Sequence, residues 1–186
     1  MSFHPLYRSL GIRAEEVRTV GLFFLHHFFL GFGIMLIYVS SNVILLENHP
    51  ETSLPLAYMA SAAGMMLVGK IYSYFEHHLL LDRLVIRVLW TVIALTAVIL
   101  VLVNFGHSVA SAVAIMVGFR SIYLLTNLEF WGVSAVVFDV RQSKRLFGVI
   151  SAGDMPAKAL GGMLAVLIHG HTELLLLLFL FLVGTI

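Results

Sequence analysis

The sequence predicts an all-α fold: a polytopic transmembrane bundle of about six helices, forming one domain over residues 1–186. Three observations carry this. Apolar residues make up 60% of the chain and charged residues only 11%, with a mean hydropathy of +1.01. A soluble domain carries about 25% charged residues, so a soluble fold of this size could not cover so much apolar surface, and lipid must be the solvent. Second, apolar runs recur along the chain, most of them near the roughly 20 residues needed to cross about 30 Å of hydrocarbon. Third, Lys and Arg alternate between the connections.

The first run extends from about Val20 to Leu46. It exceeds the ~7–15-residue core of a signal peptide and lacks a small-residue cleavage pattern after it. The second runs from about Leu56 to Phe75, the third from Leu84 to Val103 and the fourth from Val109 to Val137. A fifth spans about Gly148 to Ile168, with Gly148, Ala152, Gly153, Ala157, Gly161 and Gly162 as a small-residue face that lets another backbone approach. Pro156 removes one helical hydrogen bond and predicts a kink there. The sixth begins near Leu174 and reaches Ile186, a length of only about 20 Å as a helix. The expectation is a longer natural chain.

Charge sets the orientation. Arg8, Arg13 and Arg18 precede the first span; the second-to-third loop region, taken with the adjoining ends of those spans, has Lys70, Arg83 and Arg87; Arg141, Lys144 and Arg145 lie between the fourth and fifth. The alternate connections, Asn48 to Pro55, Asn104 to Ser108 and His169 to Glu173, hold no Lys or Arg. The positive-inside rule then places the amino terminus in the cytoplasm. The net charge of +1 adds little, and with no cysteine there is no disulfide or thiolate chemistry.

Ionisable groups within spans are the first candidates for function, because each is costly at the bilayer centre unless it pairs, snorkels or lines water. Counted from the nearest basic end, Asp154 lies about 9 Å deep, Glu129 about 12 Å, Lys158 about 15 Å and Arg120 about 25 Å. The matched depths predict a cluster in which Glu129 pairs with Lys158, and Asp154 stands one turn from Lys158 on the same face. Such a cluster serves either a solute path or helix register. Arg120 either snorkels to the far surface or contacts an anion at a cavity mouth. Arg120, Asn127, Trp131 and Ser134 share one stripe of the fourth helix, and Glu129 leaves it on the opposite side. His26 and His27 point about 100° apart, too far to ligate one ion easily, and serve as helix contacts or as pH-sensitive groups. No cofactor or metal site is expected, since there is no cysteine and the apolar runs hold no His/carboxylate pair at i and i+4. Gly148 to Gly153 mimics phosphate-loop spacing, but Asp154 and Met155 replace the required lysine and hydroxyl. No enzyme motif remains.

The segment Phe130-Trp131-Gly132 through Asp139-Val140-Arg141-Gln142-Ser143-Lys144-Arg145-Leu146-Phe147, then Ile150-Ser151-Ala152-Gly153, resembles the fourth-to-fifth helix region of the ATP/ADP translocase-like nucleotide transporters and their bacterial relatives in the major facilitator superfamily. The resemblance implies a twelve-helix secondary transporter of which this is the amino-terminal half, in a bacterial inner membrane, working with a carboxy-terminal half by alternating access. Where nucleotide-exchanging members carry a charged cluster at the end of the first helix, Tyr38-Val39-Ser40-Ser41-Asn42 stands here. The expected cargo is therefore a polar or anionic solute, a nucleotide among the candidates. Arg120, Asn127, Glu129, Trp131 and Lys158 are expected to line its path, while Arg141, Lys144 and Arg145 set topology and gate contacts. The expected partners are lipid, the solute and the second half, with no nucleic acid. The rival class is a non-transporting anchor or sensor module for a regulatory domain.

Overall fold

The computed structural model describes residues 10–47, 50–105 and 108–169, and every regular element in them is an α-helix. Four helices are long and apolar enough to cross a membrane, consistent with an integral membrane protein: α1 (Val17–Glu47), α2 (Pro50–His78), α3 (Leu81–Phe105) and α4 (Val109–Val137). The bounds of α4 coincide with those expected from hydropathy. The other three extend past their apolar runs into polar flanks. At α2 the extension begins on Pro50, a residue suited to the first helical position because its missing N–H has no helical acceptor there. The connection expected through Pro55 is thereby shortened.

The fifth span needs correcting. Instead of one helix from Gly148 to Ile168 there are two, α5 (Val140–Ser151) and α6 (Asp154–His169). Asp139 starts α5 early by a reciprocal cap, its side chain accepting from the Gln142 backbone while the Gln142 side chain accepts from the Asp139 N–H. The interruption falls at Ala152 and Gly153. Pro156 has no N–H to give Ala152 and its ring crowds that carbonyl, so the helix breaks there. Within the first turn of α6 the same missing N–H costs nothing. The expected sixth span, from Leu174, lies outside the described residues.

Among the described residues α4 is the centre of the bundle, packed against α1, α2 and α3, while α1 carries α5 and α6 on its other side. Ile115, Met116, Phe119, Ile122 and Phe130 of α4 are almost wholly buried. Several buried hydroxyls are satisfied within their own helices. Thr96, Ser121, Thr126 and Ser134 each donate to the carbonyl four residues back at 2.7–2.9 Å. Ser53 instead donates across to the Leu45 carbonyl, and Ser40, Ser41 and Ser61 have no partner among the described residues.

The α1–α6 contact is made by small residues. Gly153, Ala157, Gly161 and Ala165 recur every fourth position and are all buried. A Cβ on Gly153 would stand 2.9 Å from the Phe24 carbonyl, and one on Gly161 3.1 Å from that of Phe32. Gly31 of α1 answers them, since a Cβ there would strike the Asp154 carboxylate. Backbones this close are the signature of helix pairs that associate without a hydrophobic driving force. Of the expected small face, Gly148 and Ala152 do not take part: Gly148 meets nothing within 4 Å and Ala152 is exposed.

Candidate functional site

Because α6 lies along α1, Lys158 reaches the flank of the α1–α4 seam. There it shares a cavity of about 220 Å³ with Arg120 and Tyr123 of α4 and with Tyr38, Ile34 and Met35 of α1. Phe119 completes the wall. The Lys158 ammonium is held 2.6 Å from Asp154 one turn back. Arg120 has no carboxylate partner among the described residues; its guanidinium stands 5.7 Å from the ring centres of both Tyr58 and Phe119. Counting the Lys158–Asp154 pair as neutral, the cavity carries one uncompensated positive charge.

The expected Glu129–Lys158 pair does not form. Depth matched the two residues, but direction separates them. Glu129 is nine residues from Arg120 and leaves α4 about 180° away from it, whereas Lys158 approaches on Arg120's side. Glu129 makes no ion pair or hydrogen bond among the described residues and lines a separate cavity of about 150 Å³ with His26, Leu22 and Phe23 of α1. Asn127 and Trp131 belong to a third space, a groove of about 680 Å³ between α2 and α4 that also meets Tyr72, Ser73 and Glu76. Asn127 donates its amide to the Tyr123 carbonyl at 2.8 Å. Trp131 packs 5.1 Å from both Phe130 and Phe147. The five candidate residues thus fall into three places, and only Arg120 and Lys158 meet.

The two histidines part company, as their angular offset predicts. His27 is buried and stacked 4.4 Å from Phe130, with no hydrogen-bond partner for Nδ1 among the described residues. His26 is exposed, lies 5.5 Å from the same ring and faces the Glu129 cavity.

A polar site at the basic end of the bundle escaped the sequence reading. Glu16, only 6% exposed, accepts the Arg13 backbone N–H at 3.0 Å, the Gln142 amide at 3.1 Å and Arg145 Nη2 at 2.6 and 2.8 Å. Arg145 Nη1 also donates to the Gly11 carbonyl, and Gly11 holds φ 70°, where a side chain would be strained. Burial pushes the Glu16 carboxyl up, but the Arg13 N–H, the Arg145 guanidinium and the Gln142 amide outweigh it and hold the group below its ordinary value. The Asp139–Gln142 cap was readable in the sequence; a partner for Glu16 more than a hundred residues away was not.

No protein-family model matches the chain, and neither a curated protein nor a solved structure is detectably similar to it.

Proposed function

We propose that the chain is the solute-binding, amino-terminal half of a secondary membrane transporter of major-facilitator type, and that its cargo is recognised through an anionic group. One observation carries the reading: two cationic side chains from different helices, Arg120 and Lys158, open onto one cavity at the α1–α4–α6 junction. A charge kept inside a membrane-spanning helix without a counter-charge is costly unless it serves a path or a ligand. Arg120 offers planar donors suited to a carboxylate or a phosphate, and Tyr38 and Tyr123 add hydroxyls beside it. A cavity of about 220 Å³ is smaller than the roughly 300–1,000 Å³ of a site that encloses a whole drug-sized ligand. The pocket therefore takes the charged end of a solute, and the remainder contacts other surfaces. The resemblance of Phe130 to Gly153 to the nucleotide transporters supports the same class. With six spans, the alternating basic residues would place the amino terminus in the cytoplasm of a bacterial inner membrane.

The test is binding and uptake by the full chain in lipid vesicles, with labelled inorganic phosphate, succinate and ADP as probes. Saturable binding of at least one is expected, and Arg120→Gln should weaken it by about tenfold or more, roughly 1.4 kcal/mol. Binding that Arg120→Gln leaves intact, or no binding of any of the three, would sink the proposal.

A further inference from the structure

The cavity holding Glu129 and His26 plays no part in binding the anion, and its chemistry is different. Glu129 leaves α4 about 12 Å from its end at Val137, and His26 leaves α1 about 14 Å from its start at Val17. The two helices run antiparallel, so the residues stand at one level, and both approach the Phe130 ring, which stacks 5.5 Å from His26. They do not touch. Between them is a cavity of about 150 Å³ walled by Leu22, Phe23, Phe130 and Val133. Roughly 10–15 Å³ is enough for one water, so the space admits several, next to a carboxylate and an imidazole.

A carboxyl kept for packing would be ion-paired or hydrogen-bonded, and Glu129 is neither among the described residues. The groups around it leave it so. From α1, His27 turns to Trp131 and feels the Asp154 and Lys158 charges of α6. From α2, the Tyr72 phenol lies in the field of both Glu129 and Glu76, a second negative group and no counter-ion. On α3, Arg87 stands 5.5 Å over the Phe75 ring, and it, Asp82 and Arg83 make no ion pair with Glu129. Arg145 of α5 is committed to Glu16. Among the described residues, the basic group that shares this cavity with Glu129 is His26.

We propose that Glu129 and His26 form a water-bridged proton site, and that its loading couples proton movement to movement of the anion. A hydronium ion entering the cavity passes its proton to the Glu129 carboxylate and leaves as water; His26 takes up and returns the proton through the bridging water. Proton binding stands on the geometry of this cavity, while coupling also rests on the transporter reading.

The decisive measurement is an infrared pH titration of the full chain in lipid vesicles. A protonated-carboxyl band should grow on acidification, vanish in Glu129→Gln and persist in Glu129→Asp, which keeps the chemistry and checks that the bundle tolerates change there. In His26→Asn its midpoint should move by about half a pH unit or more. A spectrum identical in native protein and Glu129→Gln would overturn the site, as would a midpoint untouched by His26→Asn. Coupling is read separately, by imposing a pH gradient during uptake of labelled phosphate, succinate or ADP. Gradient-driven uptake lost in Glu129→Gln supports it, and native uptake indifferent to the gradient refutes it. No saturable binding of any probe refutes the transporter reading and the coupling together, while the infrared titration still decides the proton site.

Discussion

Helices α2 and α4 have the same length, 29 residues each, and both are apolar enough to cross a membrane. Yet 56% of the most apolar stretch of α4 is buried within the chain, against 11% for α2. Hydropathy does not separate a helix that faces protein from one that faces lipid, because both surroundings are apolar. What separates them is where the polar side chains go: α2 is the less apolar of the two, but it exposes most of its polar residues. Within its apolar span α4 carries Arg120, Asn127 and Glu129, and it buries Ser111, Ser121, Thr126 and Ser134. The buried polar residues of α2 are Ser53 and Ser61, while Met59, Met66 and Leu67 lie on its surface. Polar groups buried inside a span mark the helix that the rest of the bundle must enclose.

The contrast is most directly broken by truncating one side chain on each helix. Ile122 of α4 is fully buried and Met66 of α2 is 69% exposed. Lipid replaces the lost contacts at Met66 but cannot reach Ile122, where a cavity remains. Ile122→Ala should therefore cost about 2 kcal/mol by denaturant titration in mixed micelles, with Met66→Ala within about 0.5 kcal/mol of the native chain. Equal losses would mean that α2 is as enclosed as α4.

A second, smaller effect contrasts the basic ends of α1 and α2. At the start of α1, Glu16 is buried and held by Arg145, Gln142 and the Arg13 N–H. Near the end of α2, Glu76 is exposed, and His77 and His78 each bond the carbonyl four residues back at 2.7 Å. Glu16→Gln should cost about 1.5 kcal/mol, and Glu76→Gln almost nothing. The pH dependence carries the sign. The Glu16 carboxyl lies below its ordinary 4.5 when folded, so its contribution is complete above that pH and is lost as pH falls through the folded value. Native protein should lose more stability on acidification below pH 4.5 than Glu16→Gln does. Parallel acid limbs would show that the clamp contributes nothing.

Much of this was legible in the sequence, and the failures share a cause. Run length located α1 to α4 because desolvating a backbone across the bilayer leaves few alternatives. The small-residue stripe from Gly153 to Gly161 was legible because close backbone approach has a fixed four-residue spacing. The split at Ala152 is half-legible: Pro156 announces a break, whereas the Asp139–Gln142 cap that makes α5 a helix of its own lies within the fourth-to-fifth connection expected from hydropathy. The five candidate residues could be named from the sequence, yet which of them meet could not. Depth along a helix follows from residue number, whereas the neighbour a side chain meets depends on rotation and on which helix packs there. Depth and opposite charge match Lys158 to Glu129, but the position of α6 along α1 gives it to the Arg120 cavity.

The smallest expected effect tests that rotation. If opposite flanks of α4 are insulated from each other, Glu129 and Lys158 do not share a free energy. Lys158 already has Asp154 at 2.6 Å, and Glu129 faces His26 across another cavity. In a double-mutant cycle, Glu129→Gln and Lys158→Gln should add to within about 0.5 kcal/mol. The cycle between Asp154→Asn and Lys158→Gln should not add, because each single change leaves the partner's charge without its counter-ion. The Lys158 side chain is 42% exposed, so that coupling should be modest, about 0.5–1 kcal/mol. Non-additivity between Glu129 and Lys158 larger than that between Asp154 and Lys158 would place Glu129 on the Arg120 flank. The anion cavity would then hold a carboxylate that cancels its positive charge, and both the anion site and the separate proton site would fall with it.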